Sequence, residues 1–163
     1  MWPRGGMVTQ RIANPFIPVR FWAWPPLNKN LMNNEILKIA LNTKNLSIIS
    51  NHTHYTKLKN RVCGDEIEIY MVIKKGKISN FKYTGESCVY CQASASLLSR
   101  TIINKSKNKI KFLLKTSENK LKNIKNISEK EWKSFLKIMN KNNINRKDCL
   151  LLPIKATLKA LKK

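Results

Sequence analysis

Glu66-Ile67-Glu68-Ile69-Tyr70-Met71-Val72-Ile73-Lys74 alternates along its length, with Ile67, Ile69, Met71 and Ile73 on one face and polar or amphipathic residues on the other. That period of two predicts a half-buried strand. Lys75-Gly76 follows, and then Lys77-Ile78-Ser79-Asn80-Phe81-Lys82-Tyr83-Thr84. A two-residue connection containing Gly between two such runs predicts an antiparallel hairpin. A hairpin exposes one apolar face that it cannot bury alone, so the rest of the chain must cover it.

The residues after the hairpin supply that cover. Val89–Ile103, rich in Ala, Ser and Leu, predicts a helix, and Lys109–Thr116 a shorter one. Ser128–Asn140 predicts a third, with Ser128 and Glu131 in capping-box spacing and an apolar stripe of Trp132, Phe135, Leu136 and Met139. Pro153 suits the first turn of a last helix, Ile154–Leu161. Before the hairpin, Asn33-Asn34 caps a helix through Ile36, Leu37, Ile39, Ala40 and Leu41, while Leu46–Tyr55 reads as a loop or a short strand. The order of helix, hairpin and further helices predicts an α+β fold: a small antiparallel sheet with helices packed on one face.

Composition bounds the function. The chain has 163 residues, 42% of them hydrophobic, which suits one core and not two. No apolar run is long enough to span a bilayer, so no membrane partner is expected. Lys and Arg number 32 against 9 acids, a net charge of +23. Such an excess points first to a polyanion. Yet the chain carries 26 Lys and only 6 Arg, beside 19 Asn and 18 Ile, all spread along its length. Lys, Asn and Ile share A/T-rich codons, whereas base recognition leans on Arg and aromatic residues. Compositional drift over a solvated surface accounts for the charge better than a specific nucleic-acid site does.

Residues 1–31 stand apart. They hold five of the six prolines, three of the four tryptophans and no acid, with no helical or strand period. They lack the continuous apolar core of a signal peptide, and their prolines break any amphipathic presequence. The ordered segment from Arg11-Ile12-Ala13-Asn14-Pro15 to Val19-Arg20-Phe21 resembles a translated transfer-RNA gene, with complementary codons for Arg11-Ile12 and Asn14-Pro15. We expect a non-domain extension over 1–31, or a start at Met32, and one domain over 32–163.

The chemistry resides in four cysteines and one acid. Four thiols without a signal peptide point to a reducing, cytoplasmic setting, where thiols bind metal, react or pack. Cys63 sits in Cys63-Gly64-Asp65, entering the first hairpin strand; Cys88 follows the second strand at a helix start, where the helix dipole favours thiolate; Cys149 lies just before the last helix. A hairpin brings the start of its first strand to the end of its second. Cys63, Asp65 and Cys88 therefore share one end of the sheet, and the last helix adds Cys149. Three thiolates and a carboxylate make a four-ligand set for Zn²⁺ or iron. The carboxylate is the more exchangeable ligand, as release of a cargo would require. Cys91, one helical turn from Cys88, reads as packing. His52 and His54 fall in a polar loop outside the site.

Cys63-Gly64-Asp65, the hairpin, Gly85-x-x-Cys88-x-x-x-x-Ala93-Ser94-Ala95-Ser96 and Cys149-x-x-Leu152-Pro153 resemble, in that order and spacing, the iron–sulfur cluster scaffold family of IscU, SufU and the NifU N-terminal domain. The resemblance covers roughly Met32 to Lys163. It implies that Cys63, Asp65, Cys88 and Cys149 hold a transient 2Fe–2S cluster or Zn²⁺. It implies a cysteine desulfurase as sulfur donor, iron–sulfur acceptor or carrier proteins downstream, and Cys149 or Cys88 as the persulfide acceptor. On that resemblance the protein is a scaffold and not an enzyme. The alternatives are a zinc-bound sulfurtransferase and a zinc-stabilised basic nucleic-acid binder. Two positions depart from the IscU type: Asp148 replaces the His before the third cysteine, and 142–147 lacks the Leu-Pro-Pro-Val-Lys motif. The long interval from Cys88 to Cys149 favours the SufU/NifU branch.

Overall fold

The computed structural model describes residues 34–121 and 132–162. The expected extension over 1–31 lies outside them. Asn33–Lys163 forms one compact unit. Its elements are α1 (Asn34–Ala40), β1 (His54–Lys59), β2 (Glu66–Lys74), β3 (Lys77–Thr84), α2 (Val89–Thr101), α3 (Lys107–Leu121), α4 (Lys133–Leu136), a 3-10 helix (Lys141–Arg146) and α5 (Lys147–Ala160). The three strands form an antiparallel meander in the order β1-β2-β3. The fold is the expected α+β arrangement with its helices on one face. No helix among the described residues is long and apolar enough to cross a membrane.

The hairpin forms as its pattern demands. Lys75 and Gly76 both take positive φ, 49° and 71°, the backbone of a tight turn whose twist matches the flanking strands. Ile67, Ile69 and Met71 are at most 1% exposed. On β3 the buried residues are Ile78, Phe81 and Tyr83, which breaks the period of two. A register shift against Val72/Ile73 supplies the reason. The extra residue returns Phe81 and Tyr83 to the core face, and Ser79 Oγ donates to the Val72 carbonyl at 3.0 Å beside the shift.

β1 is a strand that the sequence pattern does not predict: the stretch read as a loop or short strand, Leu46–Tyr55, is loop up to Thr53, and the strand runs on to Lys59. It pairs with β2 from His54↔Met71 to Lys59↔Glu66. On the sheet face away from the helices, His52, Tyr55 and Tyr70 stack with ring centroids 5.2–5.7 Å apart. Both tyrosine hydroxyls donate to Glu68 Oε2, at 3.1 Å from Tyr55 and 2.7 Å from Tyr70.

On the core face α2 and α5 pack together, and α5 also meets α3, β1 and β2. Ala93, Ser94, Ala95 and Ser96 are all buried, and their small side chains let α5 approach. Ser94 Oγ donates to the Leu150 carbonyl at 2.6 Å across that contact.

Three helix expectations need correction. The helix over Lys109–Thr116 is longer, Lys107–Leu121. The helix expected over 128–140 survives only as Lys133–Leu136 within the described residues; Ser128 and Glu131 fall outside them. Trp132, Phe135, Leu136 and Met139 are nevertheless buried. Asn140 and Asn143 donate to the Lys137 and Ile138 carbonyls at 3.1 and 2.8 Å. Those bonds offer the backbone an alternative to continued helix. The last helix begins at Lys147 and not at Ile154, with Pro153 in its interior. Proline there removes one helical hydrogen bond, a cost of about 3 kcal/mol. Complete or near-complete burial of Cys149, Leu150, Leu151 and Leu152 on the preceding turn offsets it.

Candidate metal centre

Three chain segments meet at one end of the sheet. The first is the β1–β2 loop, Asn60–Asp65. Gly64 takes φ +78°, which swings the chain so that Cys63 and Asp65 face the same point. The Asn60 amide donates to the Asp65 carbonyl at 2.7 Å and the Gly64 amide to the Asn60 carbonyl at 2.9 Å, closing the loop. The second segment is the link from β3 into α2. Gly85, at φ +140°, lies against the Glu66 backbone, and the Glu66 amide donates to the Glu86 carbonyl at 2.8 Å. That link delivers Cys88 as the N-cap of α2. The third is the first turn of α5. Cys149 lies inside that helix, a correction to its expected place ahead of it.

Sγ of Cys63 and Sγ of Cys149 are 3.4 Å apart. The ligand atoms of Cys63, Asp65 and Cys149 all lie within 4.8 Å of one another. Zn–S bonds of about 2.3 Å in a tetrahedron set a sulfur–sulfur edge of about 3.8 Å, so the thiol pair needs only a few tenths of an ångström to open. Cys88 lies outside that tightest triplet, and its backbone amide donates to Asp65 Oδ1 at 2.8 Å. Asp65 thus supplies the capping oxygen that Cys88 itself does not provide. Its other oxygen, Oδ2, is buried with no hydrogen-bond partner among the described residues. A buried, unpaired carboxylate oxygen is costly unless a cation meets it, and the thiols beside it are soft metal ligands. The donor set fits iron or zinc.

The electrostatics agree. Burial pushes the Asp65 carboxyl upward, but the Cys88 amide and the thiols of Cys63, Cys88 and Cys149 outweigh it and hold its pKa below the ordinary value. Burial and then hydrogen bonding to Asp65 raise the Cys149 thiol, and burial chiefly raises Cys88. Desolvation and a neighbouring carboxylate thus oppose the help that the α2 dipole gives a Cys88 thiolate. A bound cation reverses that balance.

Accessibility separates the thiols. Cys63 is exposed, Cys88 half-buried and Cys149 buried. Cys91 is fully buried in the core, and desolvation pushes its thiol up to about 12. His52 joins the aromatic cluster on the far sheet face, where its Nδ1 meets the Ile49 carbonyl at 2.8 Å, and His54, expected in a loop, is instead the first residue of β1, its Nδ1 2.8 Å from Thr53 Oγ1. Asp148 is exposed and pairs with Lys155 at 3.8 Å. It helps line a cleft of about 220 Å³ with Leu58, Lys59, Arg61 and Leu152.

The sequence pattern marks Cys63, Asp65, Cys88 and Cys149, but not Asn60. Asn60 is 9% exposed, and its side chain bonds to both Val62 N and Cys63 Sγ. Asn three residues before a turn cysteine is the Asx-turn signal that marks it.

Residues 31–147 match the family model for the NifU-like N terminal domain. The chain is 32% identical over 135 residues to the iron–sulfur cluster assembly scaffold protein IscU of Thermotoga maritima, covering 83% of this chain and 95% of that protein. It superposes with TM-score 0.73 and 29% identity on a solved structure described as a SUF-system iron–sulfur cluster assembly scaffold from Fervidobacterium islandicum, covering 80% of this chain and 96% of that one. It shares its fold with the N-terminal NifU-like protein of Brucella abortus, with TM-score 0.69 and 20% identity over 80% of this chain and 91% of that one.

Proposed function

The chain belongs to the NifU-like N-terminal domain family, and we propose that it is a scaffold on which a 2Fe–2S cluster is assembled and from which it is released. One observation carries this reading: two thiols and a buried carboxylate with an unpartnered oxygen converge within 4.8 Å. The Thermotoga and Fervidobacterium proteins named as scaffolds support it.

In this reading Cys63, Cys88, Cys149 and Asp65 hold iron as cargo. Sulfur arrives as the persulfide of a cysteine desulfurase. Cys63 is the thiol that first meets it, because it alone of the three is exposed; this favours Cys63 over Cys149 and Cys88. Its thiolate attacks the outer sulfur, the donor's S–S bond breaks, and the donor leaves as thiolate. The sulfur now on Cys63 becomes sulfide on accepting two electrons from an external reductant, which regenerates the thiol. Cys149, 3.4 Å away, is placed to share it. Asp65, the only hard ligand, is the position at which an acceptor's thiols enter and draw the cluster away. The protein works in the cytoplasm and contributes binding and sulfur transfer in place of turnover.

Zinc is the second reading, because the tetrahedral thiolate spacing that suits cluster iron suits Zn²⁺ equally. In it the same site relays persulfide sulfur without building a cluster. Incubation with Fe²⁺, cysteine, a desulfurase and a reductant, followed by visible absorption and iron, sulfide and zinc analysis, separates the two. A 2Fe–2S spectrum with matching iron and sulfide supports the scaffold. Retained zinc with desulfurase stimulation and no iron uptake supports the relay.

A further inference from the structure

Asn60 follows β1 directly and is nearly buried, yet it belongs to no ligand set. Its Oδ1 accepts from the Val62 amide at 3.0 Å, which locks the turn. Its Nδ2 donates to Cys63 Sγ at 2.9 Å. Its own backbone bonds Asp65 and Gly64. One side chain therefore sets where Cys63 stands and also touches its sulfur.

We propose that Asn60 is a positioning residue that tunes Cys63 through an N–H···S hydrogen bond maintained while Cys63 ligates metal. The inference rests on the metal-site reading above. An N–H donor withdraws charge from a thiolate and stabilises the charged form that metal binding needs. Hydrogen bonds to ligating groups both orient them and adjust the metal's electronics. Asn60 is the N–H donor to Cys63 Sγ among the hydrogen bonds of the described residues; the Cys149 thiol lies 3.4 Å from the same sulfur, where either thiol can donate, and the Asp65 carboxylate also faces it.

Asn60→Ser removes the N–H donor without adding a charge: its Oγ can still accept from the Val62 amide, and its shorter side chain no longer carries an amide to the sulfur. We expect the full-length variant to bind Zn²⁺ about tenfold to a hundredfold more weakly in chelator competition. With Co²⁺, the sulfur-to-metal charge-transfer band should move to longer wavelength, because the sulfur becomes more electron-rich. A merely structural role would not move that band. Wild-type protein loaded with ¹¹³Cd provides a test that needs no variant. Scalar coupling from ¹¹³Cd to the Cys63 Hβ protons and to an Asn60 Hδ2 proton demonstrates the bond. Coupling to Cys63 without coupling to Asn60, or an Asn60→Ser protein that folds and keeps its Zn²⁺ affinity within twofold with an unmoved Co²⁺ band, overturns the proposal. Absence of coupling to Cys63 overturns the metal-site reading itself, and this inference with it.

Discussion

Cys63 Sγ lies 3.4 Å from Cys149 Sγ although 86 positions separate the two residues. A loop and a helix turn hold them there, and no disulfide joins them. A disulfide needs about 2.05 Å between sulfurs, so modest closure suffices. We expect diamide to convert metal-free protein to a single Cys63–Cys149 disulfide, seen as the loss of two hydrogens in peptide mass mapping. Prior Zn²⁺ loading should block it. Cross-linking that involves the buried Cys91 would contradict the geometry.

Asp65→Ala should lengthen the life of a reconstituted cluster several-fold, because it removes the exchangeable ligand. Decay of the visible absorption in the presence of a chelator measures this; faster decay than wild type would refute it. The variant also loses the Asp65 Oδ1 cap on the Cys88 amide, worth about 1 kcal/mol. Thermal melting of the metal-free protein reads that part separately.

Two glycines flank the site for different reasons. A Cβ on Gly64 meets nothing within 4 Å, so Gly64→Ala costs only the left-handed backbone, about 1–2 kcal/mol. A Cβ on Gly85 would overlap the Glu66 carbonyl and approach Ile67 Cα at 2.9 Å. Gly85→Ala should therefore cost about 3 kcal/mol or more and disturb Cys88. Urea denaturation of the two metal-free variants checks the order.

Glu68 anchors the open face. Tyr70, then Lys57, hold its carboxyl below the ordinary 4.5. A depressed folded value means that its contribution is complete above about pH 4.5 and is lost as pH falls through the folded pKa. Glu68→Gln should cost roughly 0.5–1 kcal/mol at neutral pH, modest because the side chain is partly solvated. Below about pH 4.5 the wild type should lose stability faster than the variant. Parallel melting curves in acid would refute the assignment.

The hairpin was legible because alternation and a Lys-Gly turn are local properties: Glu66–Lys74 and Lys77–Thr84 are the strands that the pattern predicts. So was the end of the sheet at which Cys63, Asp65 and Cys88 gather, since any hairpin brings those positions together. β1 was not legible. In His54-Tyr55-Thr56-Lys57-Leu58-Lys59 the core face shows only Thr56 and Leu58, and pairing with β2 makes the strand. The helix through Pro153 was hidden as well, because local propensity argues against it while burial against α2 decides for it.

By itself the sequence determined the strand periods, the turn and the donor types, because each depends on neighbours along the chain. Tertiary structure alone decided that Cys63 is the open thiol, that Cys149 is buried beside it, that Asp65 caps Cys88 while keeping one oxygen unpaired, and that Asn60 touches sulfur. Those are relations between the β1–β2 loop, α2 and α5. Exposure, desolvation and hydrogen-bond partners exist only once burial of the sheet's apolar face has driven those elements together.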